Sequence, residues 1–295
     1  MQTGSSEETP TKHFESGWPS SHGSQLFAQG WEPEDETKAI VCLVHGLGEH
    51  SGRYAHVAAA LTGAGYTLLA FDLRGHGRSE GRRGHAAGWD ALLSDVDCLL
   101  AQAEARYPHR ARFLYGHSLG GCLVLSYVLR RRPDLSGAIA TSPALRPAFE
   151  PARWRVALGK ALCRVRPGLL MSNGLDRNGL SHDPAVARAY ACDPLVHDRL
   201  SARLGVDLLA YGKEALANAA QLPLPLLLMH GNTDPICSFA ASREFADKAS
   251  STGRCTFKEW DGLYHELHNE LQQGEVMGTM IGWLDAHLAG EGLWY

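Results

Sequence analysis

The sequence predicts an α/β fold: a mostly parallel central sheet flanked by helices, with a helical cap inserted late in the sheet. Three observations lead there. Apolar runs of strand length alternate with helix-length patterns, the arrangement of a parallel sheet with crossover helices. Most of these runs are continuously apolar, as expected of strands buried on both faces. The alternation then breaks between residues 143 and 221 and resumes for two last strands.

The chain opens with MQTGSSEETPTK, a polar stretch without the apolar core of a signal peptide, so residues 1–12 are expected to be flexible. Residues 13–30 carry Gly and Ser turn signals and read as a leading hairpin. Strands are expected at 39–45 (AIVCLVH), 66–72 (YTLLAFD), 111–117 (ARFLYGH), 137–141 (GAIAT), 226–230 and 256–260. Trp89, Leu92, Val96, Leu99 and Ala103 fall at helical spacing, and Tyr107-Pro108 closes that helix. Residues 118–132 (SLGGCLVLSYVLRRR) form a second helix, its arginines in the last turn where they complement the dipole. A C-terminal helix is expected over 269–288. The core is thus 1–142 with 222–295, and 143–221 is the cap.

The cap segment holds prolines at 143, 147, 151, 167, 184 and 194 and no convincing strand. Inserted late in such a sheet, it should cover the C-terminal ends of the strands, where ligands enter. Trp154, Leu158, Leu162 and Val165 form one stripe of a short helix. Between 146 and 177, seven basic residues face only Glu150 and Asp176. Two readings of that helix stand open: the stripe packs onto the core with its charges solvated, or it makes transient contact with an anionic membrane surface.

Composition sets outer limits. Of 295 residues 44% are hydrophobic, which excludes a largely disordered chain. The 28 Lys and Arg against 32 Asp and Glu leave a net charge of −4, which argues against a nucleic-acid partner. Seven cysteines without a C-x-x-C pair indicate neither a disulfide framework nor a zinc site, so no metal is expected. They read as reduced thiols packed as small hydrophobes. No apolar run approaches the roughly 20 residues of a membrane span. A cytoplasmic protein, peripheral to a membrane at most, is therefore expected; the oligomeric state is not legible.

Two segments match G-x-S-x-G, and context separates them. Gly116-His117-Ser118-Leu119-Gly120 directly follows an apolar strand and directly precedes an apolar helix, the strand–turn–helix of a nucleophile elbow. Gly77-Arg78-Ser79-Glu80-Gly81 sits in a Gly- and Arg-rich loop with no helix after it. Ser118 is therefore the expected nucleophile and Ser79 a loop residue. A serine hydroxyl needs a base to take its proton, and the base needs a carboxylate to orient it. In α/β-hydrolases these follow in the order Ser, acid, His, each beyond a strand. Asp234, after strand 226–230, and His265, after strand 256–260, fit. Asp261 and His268 are the rival acid and base. Two backbone N–H groups should hold the oxyanion, that of Leu119 after the nucleophile and that of Leu47 between Gly46 and Gly48.

These residues resemble a known family. His45-Gly46-Leu47-Gly48-Glu49-His50 with Arg53-Tyr54 is similar to the HGxGEHxxRY signature of the monoacylglycerol lipase / lysophospholipase-like group of α/β-hydrolases. Gly75-His76-Gly77, Gly116-His117-Ser118, Tyr264-His265-x-Leu267-His268 and the cap's Tyr190-x-x-Asp193-Pro194 continue the likeness in order. The resemblance implies an α/β-hydrolase fold and a Ser118–Asp234–His265 esterase with oxyanion donors Leu47 and Leu119. It implies no cofactor and a small lipid ester as substrate, a monoacylglycerol cleaved to fatty acid and glycerol. Glu49, Arg53, Tyr190 and His268 would then line the alcohol pocket. From the residues alone, Glu49 and Arg53 read equally as a pair bracing the oxyanion loop, and Tyr190 as cap packing. The competing functions are a lysophospholipase or broad carboxylesterase, a peptidase, and a ligand-binding receptor on the same fold.

Overall fold

The computed structural model describes residues 12–20, 23–149 and 152–288. The expectation of a flexible leader falls, apart from Lys12, outside the described residues.

The apolar runs become strands of one eight-stranded sheet. The leading hairpin is β1 (Lys12–Pro19) and β2 (Gln25–Glu32), followed by β3 (Ile40–Val44), β4 (Thr67–Phe71), β5 (Arg112–His117) and β6 (Gly137–Thr141). After the insert come β9 (Leu226–Gly231) and β10 (Cys255–Trp260), with β7 (Leu170–Ser172) and β8 (Arg199–Ser201) inside it. Strand order is β1-β2-β4-β3-β5-β6-β9-β10. The pairs β1–β2 and β2–β4 are antiparallel and all others in this sheet are parallel.

Continuous apolar strands are explained by what covers each face. In β3, Ile40, Cys42 and Val44 enter one core while Val41 and Leu43 enter the other. The first core packs beneath α2 (Trp89–Arg106), α3 (Leu119–Arg131) and α7 (Phe239–Ala249). The second packs beneath α1 (Ala55–Gly63) and α8 (Gln273–Leu288), through Val57, Leu61, Met280 and Leu284. Helix α8 begins four residues later than expected, because residues 267–269 form a separate short 3₁₀ turn.

Between β6 and β9 the chain leaves the sheet and forms α4 (Arg153–Val165), α5 (Pro184–Cys192) and α6 (Ala202–Asn218). Strands β7 and β8 pair antiparallel as a three-residue ribbon, where the sequence suggested none. LMS and RLS are too short to show a period of two, so no pattern could announce them. Of the two readings of α4, packing of its whole stripe onto the core does not hold. Trp154 is 64% exposed, Leu158 50% and Val165 79%.

Candidate active site

Parallel strands deliver their C-terminal ends to one edge of the sheet, and three of them deliver Ser118, Asp234 and His265. Ser118 follows β5 with φ 55° and ψ −115°, a left-handed conformation rare for a residue with a side chain. Its neighbours make that turn possible. A Cβ on Gly120 would stand 2.0 Å from the Val44 carbonyl oxygen, and one on Gly116 2.3 Å from that of Gly120. Only glycine permits helix α3 to start this close to the sheet. The Ser118 N–H donates to the Thr141 carbonyl, fixing the elbow to β6.

His265 lies in the loop after β10, its carbonyl accepting from Ser142 Oγ at 2.7 Å. Its Nε2 is 3.0 Å from Ser118 Oγ and its Nδ1 2.7 Å from Asp234 Oδ2. Asp234, in the loop after β9, also accepts from the N–H groups of Ile236 and Cys237 on Oδ1. Burial disfavours the Asp234 charge, but His265, His230 and these bonds hold its carboxyl well below the usual carboxylate range. Burial likewise disfavours the His265 imidazolium, yet Asp234, with Glu266 and Glu49 behind it, leaves the pKa above the ordinary 6.5. These distances are the geometry that a nucleophile–base–orienting-acid chain for acyl transfer requires.

The sequence did not single out His230. It is fully buried on β9, with Nε2 2.9 Å from Asp234 Oδ2 and Nδ1 2.7 Å from Ser242 Oγ. The Asp234 carboxylate is thus gripped between two imidazoles. Cys237 also lines the cavity beside Ser118, its thiol kept well above the ordinary range by burial and by Asp234. No motif marks either residue.

Asp261 takes no part in the relay. Its carboxylate accepts from Asn232 Nδ2 at 2.8 Å on the outer side of the β9 and β10 turns. Ser79 is a loop residue after β4 that ties this loop to the leading hairpin, accepting from the Phe27 N–H and donating to the Asp72 carbonyl.

Leu47 and Leu119 both line the cavity beside Ser118. Leu119 is the first residue of α3, so its N–H has no partner within the helix. The Leu47 turn is held by Glu49, whose Oε1 accepts from the Gly46 N–H at 2.6 Å and from Tyr54 Oη at 2.7 Å. Arg53 Nη1 donates to Glu49 Oε2 at 2.5 Å and to Glu266 Oε1 at 2.7 Å, while Nη2 donates to Glu266 Oε2 at 2.7 Å. The bracing role open for Glu49 and Arg53 is therefore present in the geometry. Glu49 and Tyr190 also line the cavity. Arg53 stands behind it, with its guanidinium 4.8 Å from the centre of the Tyr190 ring.

His268 departs from its expected place on the pocket wall. It is fully buried, stacked on Tyr54 at 4.7 Å and edge-on to His117 at 4.9 Å, and its ring nitrogens have no partner among the described residues. The 3₁₀ turn at 267–269 carries it beneath the floor. Glu266 stands on the wall instead.

The cavity has a volume of about 920 Å³, within the range of ligand sites. Its polar end holds Ser118, His265, Glu49, Glu266 and Tyr190. Its other walls are largely apolar and come from the insert, through Phe149, Val156, Leu175, Leu200, Val206 and Leu209.

Fold and site together define a serine hydrolase of the α/β-hydrolase class. The sequence profile of the family described as "Serine aminopeptidase, S33" matches residues 35–272. A Mycolicibacterium smegmatis protein named monoacylglycerol lipase is 35% identical over 90% of this chain and 95% of its own length. A Dictyostelium discoideum abhydrolase domain-containing protein is 38% identical over 88% of this chain, which spans only 27% of that longer protein. The crystal structure of the Paleococcus ferrophilus monoacylglycerol lipase superposes with a TM-score of 0.82 at 36% identity, covering 89% of this chain and 99% of that one. The chain belongs to this serine hydrolase family, in its monoacylglycerol lipase-like group.

Proposed function

We propose that the protein is a serine esterase that hydrolyses monoacylglycerols to fatty acid and glycerol through an acyl-enzyme on Ser118. The observation that carries this reading is the Ser118–His265–Asp234 relay at the polar end of a cavity whose remaining walls are largely apolar. An acyl chain needs the apolar walls and a glycerol leaving group needs the polar ones.

In this reading His265 Nε2 takes the Ser118 proton as Oγ attacks the ester carbonyl. The oxyanion accepts from the backbone N–H groups of Leu47 and Leu119. His265 then returns the proton to the departing glycerol oxygen, and a water deacylates the serine by the same route. Asp234 keeps Nδ1 protonated and stabilises the imidazolium. Glu49, through the Gly46 N–H, holds the loop that carries the Leu47 donor. The insert acts as the cap that walls the acyl cavity.

Among the described residues no helix is long and apolar enough to cross a membrane. The exposed Trp154, Leu158 and Val165 on α4 support a peripheral contact instead, in which the cap rests on a lipid surface and receives its substrate there.

The test is covalent labelling followed by substrate competition. A fluorophosphonate probe should label the native enzyme and fail on Ser118→Ala. Monooleoylglycerol should turn over faster than dioleoylglycerol, lysophosphatidylcholine or an aminoacyl amide. Faster cleavage of the lysophospholipid or of the amide would overturn the choice of substrate, and absent labelling at neutral pH the choice of mechanism.

A further inference from the structure

Arg53 is the cation next to the polar end of the cavity, and a free guanidinium there would be an anion-binding group. It is not free. Its fork closes on both oxygens of Glu266, one nitrogen also serves Glu49, its side chain is 11% exposed, and the Tyr190 ring covers it. Glu49 and Glu266 both reach the cavity wall, and Asn269 Nδ2 fixes the Glu266 carboxylate at 2.7 Å. Two carboxylates share one guanidinium, so one negative charge is left over beside the place where a leaving group must sit.

The other charged groups do not cancel it. His117 and His268 are held neutral by burial, His117 at about 3 and His268 well below its ordinary range. Arg177 is exposed to solvent on the insert beside Asp176, which itself lines the cavity. Asp193 is taken by His50 at 2.8 Å. Lys160 and Lys213 are exposed on α4 and α6, among the apolar walls. The same-sign rule for recognition then applies: like charges brought together in a partly desolvated site discriminate strongly against the wrong partner.

We propose that Glu266 is a specificity-determining residue: it makes the alcohol end of the cavity net anionic, so that neutral polyol leaving groups are accepted and phosphate-bearing leaving groups rejected. This deepens the esterase reading and rests on it. It also separates the two lipid heads that the sequence left in competition. The insert's two cavity lysines, Lys160 and Lys213, lie among the apolar walls, while the alcohol end carries the opposite sign.

The experiment compares kcat/KM for monooleoylglycerol and oleoyl lysophosphatidate, both as dispersed monomers, in the full-length enzyme and in Glu266→Gln. The native enzyme should prefer the neutral ester by at least 100-fold. Glu266→Gln, which keeps the side chain's shape and an acceptor for Arg53, should cut that preference at least tenfold by raising turnover of the lysophosphatidate. A gain of activity on one substrate cannot come from a weakened fold. A native preference below threefold, or an unchanged ratio in a folded Glu266→Gln, overturns the proposal. Should the variant not fold, the native enzyme decides: glycerol 3-phosphate should inhibit more weakly than glycerol, and stronger inhibition by the phosphate overturns the proposal. A native enzyme that cleaves neither lipid overturns the esterase reading itself, a distinct result.

Discussion

The two ends of the cavity are built on opposite principles. At the sheet edge the carboxylates are tied down by several partners each. Asp234 accepts from two backbone N–H groups and faces two imidazoles, and Glu49, Arg53 and Glu266 form a closed chain of charge-assisted bonds from Gly46 to the residue after His265. At the insert end the walls are apolar side chains from α4, α6, β8 and the loops between them, and α4 leaves Trp154, Leu158 and Val165 exposed. The chemistry is therefore held in one geometry by redundant contacts, while the entrance is left with apolar surface that water does not satisfy. A contiguous apolar patch of this kind is what the proposed lipid contact requires. Substitutions at the first end should cost catalysis or folding, and those at the second should alter access alone.

Ser118→Ala tests that division most severely. It removes the nucleophile from a site that otherwise stays intact, and kcat should fall by about 10⁶, as it does where triad members act as a unit. The fold should persist, since the substitution removes only a hydroxyl whose partners are the His265 ring and the Cys237 thiol, while the backbone bond of Ser118 to Thr141 remains. Residual turnover within 100-fold of native, in single-turnover assays, would remove Ser118 from its assigned role.

Asp234→Asn follows, with a drop of about 10⁴ in kcat because the amide no longer selects the reactive tautomer of His265. It carries a second signature. His265 must be neutral to accept the Ser118 proton, and its pKa lies above the ordinary 6.5 because of Asp234. Native kcat/KM should accordingly fall as pH drops through a midpoint above 6.5. Asparagine removes the charge that favours the imidazolium, so the midpoint should move to lower pH. A midpoint that stays in place would mean that another group sets it.

Glu49→Ala probes the brace. The Gly46 N–H, Tyr54 Oη and part of the Arg53 fork lose their acceptor in a buried setting. Breaking one side of a buried charged pair costs about 3–5 kcal/mol, which urea unfolding would read directly. A loss below about 1 kcal/mol would show that water replaces the carboxylate and that the end is less tightly built than its contacts imply.

How much of this could be read in the sequence follows the same line between the two ends. Each parallel strand was legible because burial on both faces leaves a continuous apolar run. Ser118 was separable from Ser79 because only one G-x-S-x-G match stands between a strand and a helix. Glu266 was not legible: no spacing links it to Arg53, and the pair exists only because the β10 loop folds back over the segment that enters α1. His230 was hidden as one more residue of an apolar strand. His268 was misplaced on the wall, since a three-residue spacing from His265 says nothing about the 3₁₀ turn that buries it. In the insert, the stripe of α4 was visible, but amphipathicity states only that a face is apolar and not what covers it.

That last point gives the mildest substitution its value. Leu158→Asp with Val165→Asp places two charges on the outward face of α4, where neither residue is buried. Surface changes of this kind shift stability by about 0.5 kcal/mol or less, so hydrolysis of a short, water-soluble ester should stay within twofold of native. Binding to vesicles of anionic phospholipid should weaken by tenfold or more in co-sedimentation, and turnover of monooleoylglycerol presented in those vesicles should fall with it. If vesicle binding and vesicle turnover both survive in the folded variant, α4 is not the docking face and its exposed side chains serve another contact. If the soluble ester is lost as well, the separation between a rigid catalytic end and an adaptable entrance fails, because a change confined to the entrance will have reached the chemistry.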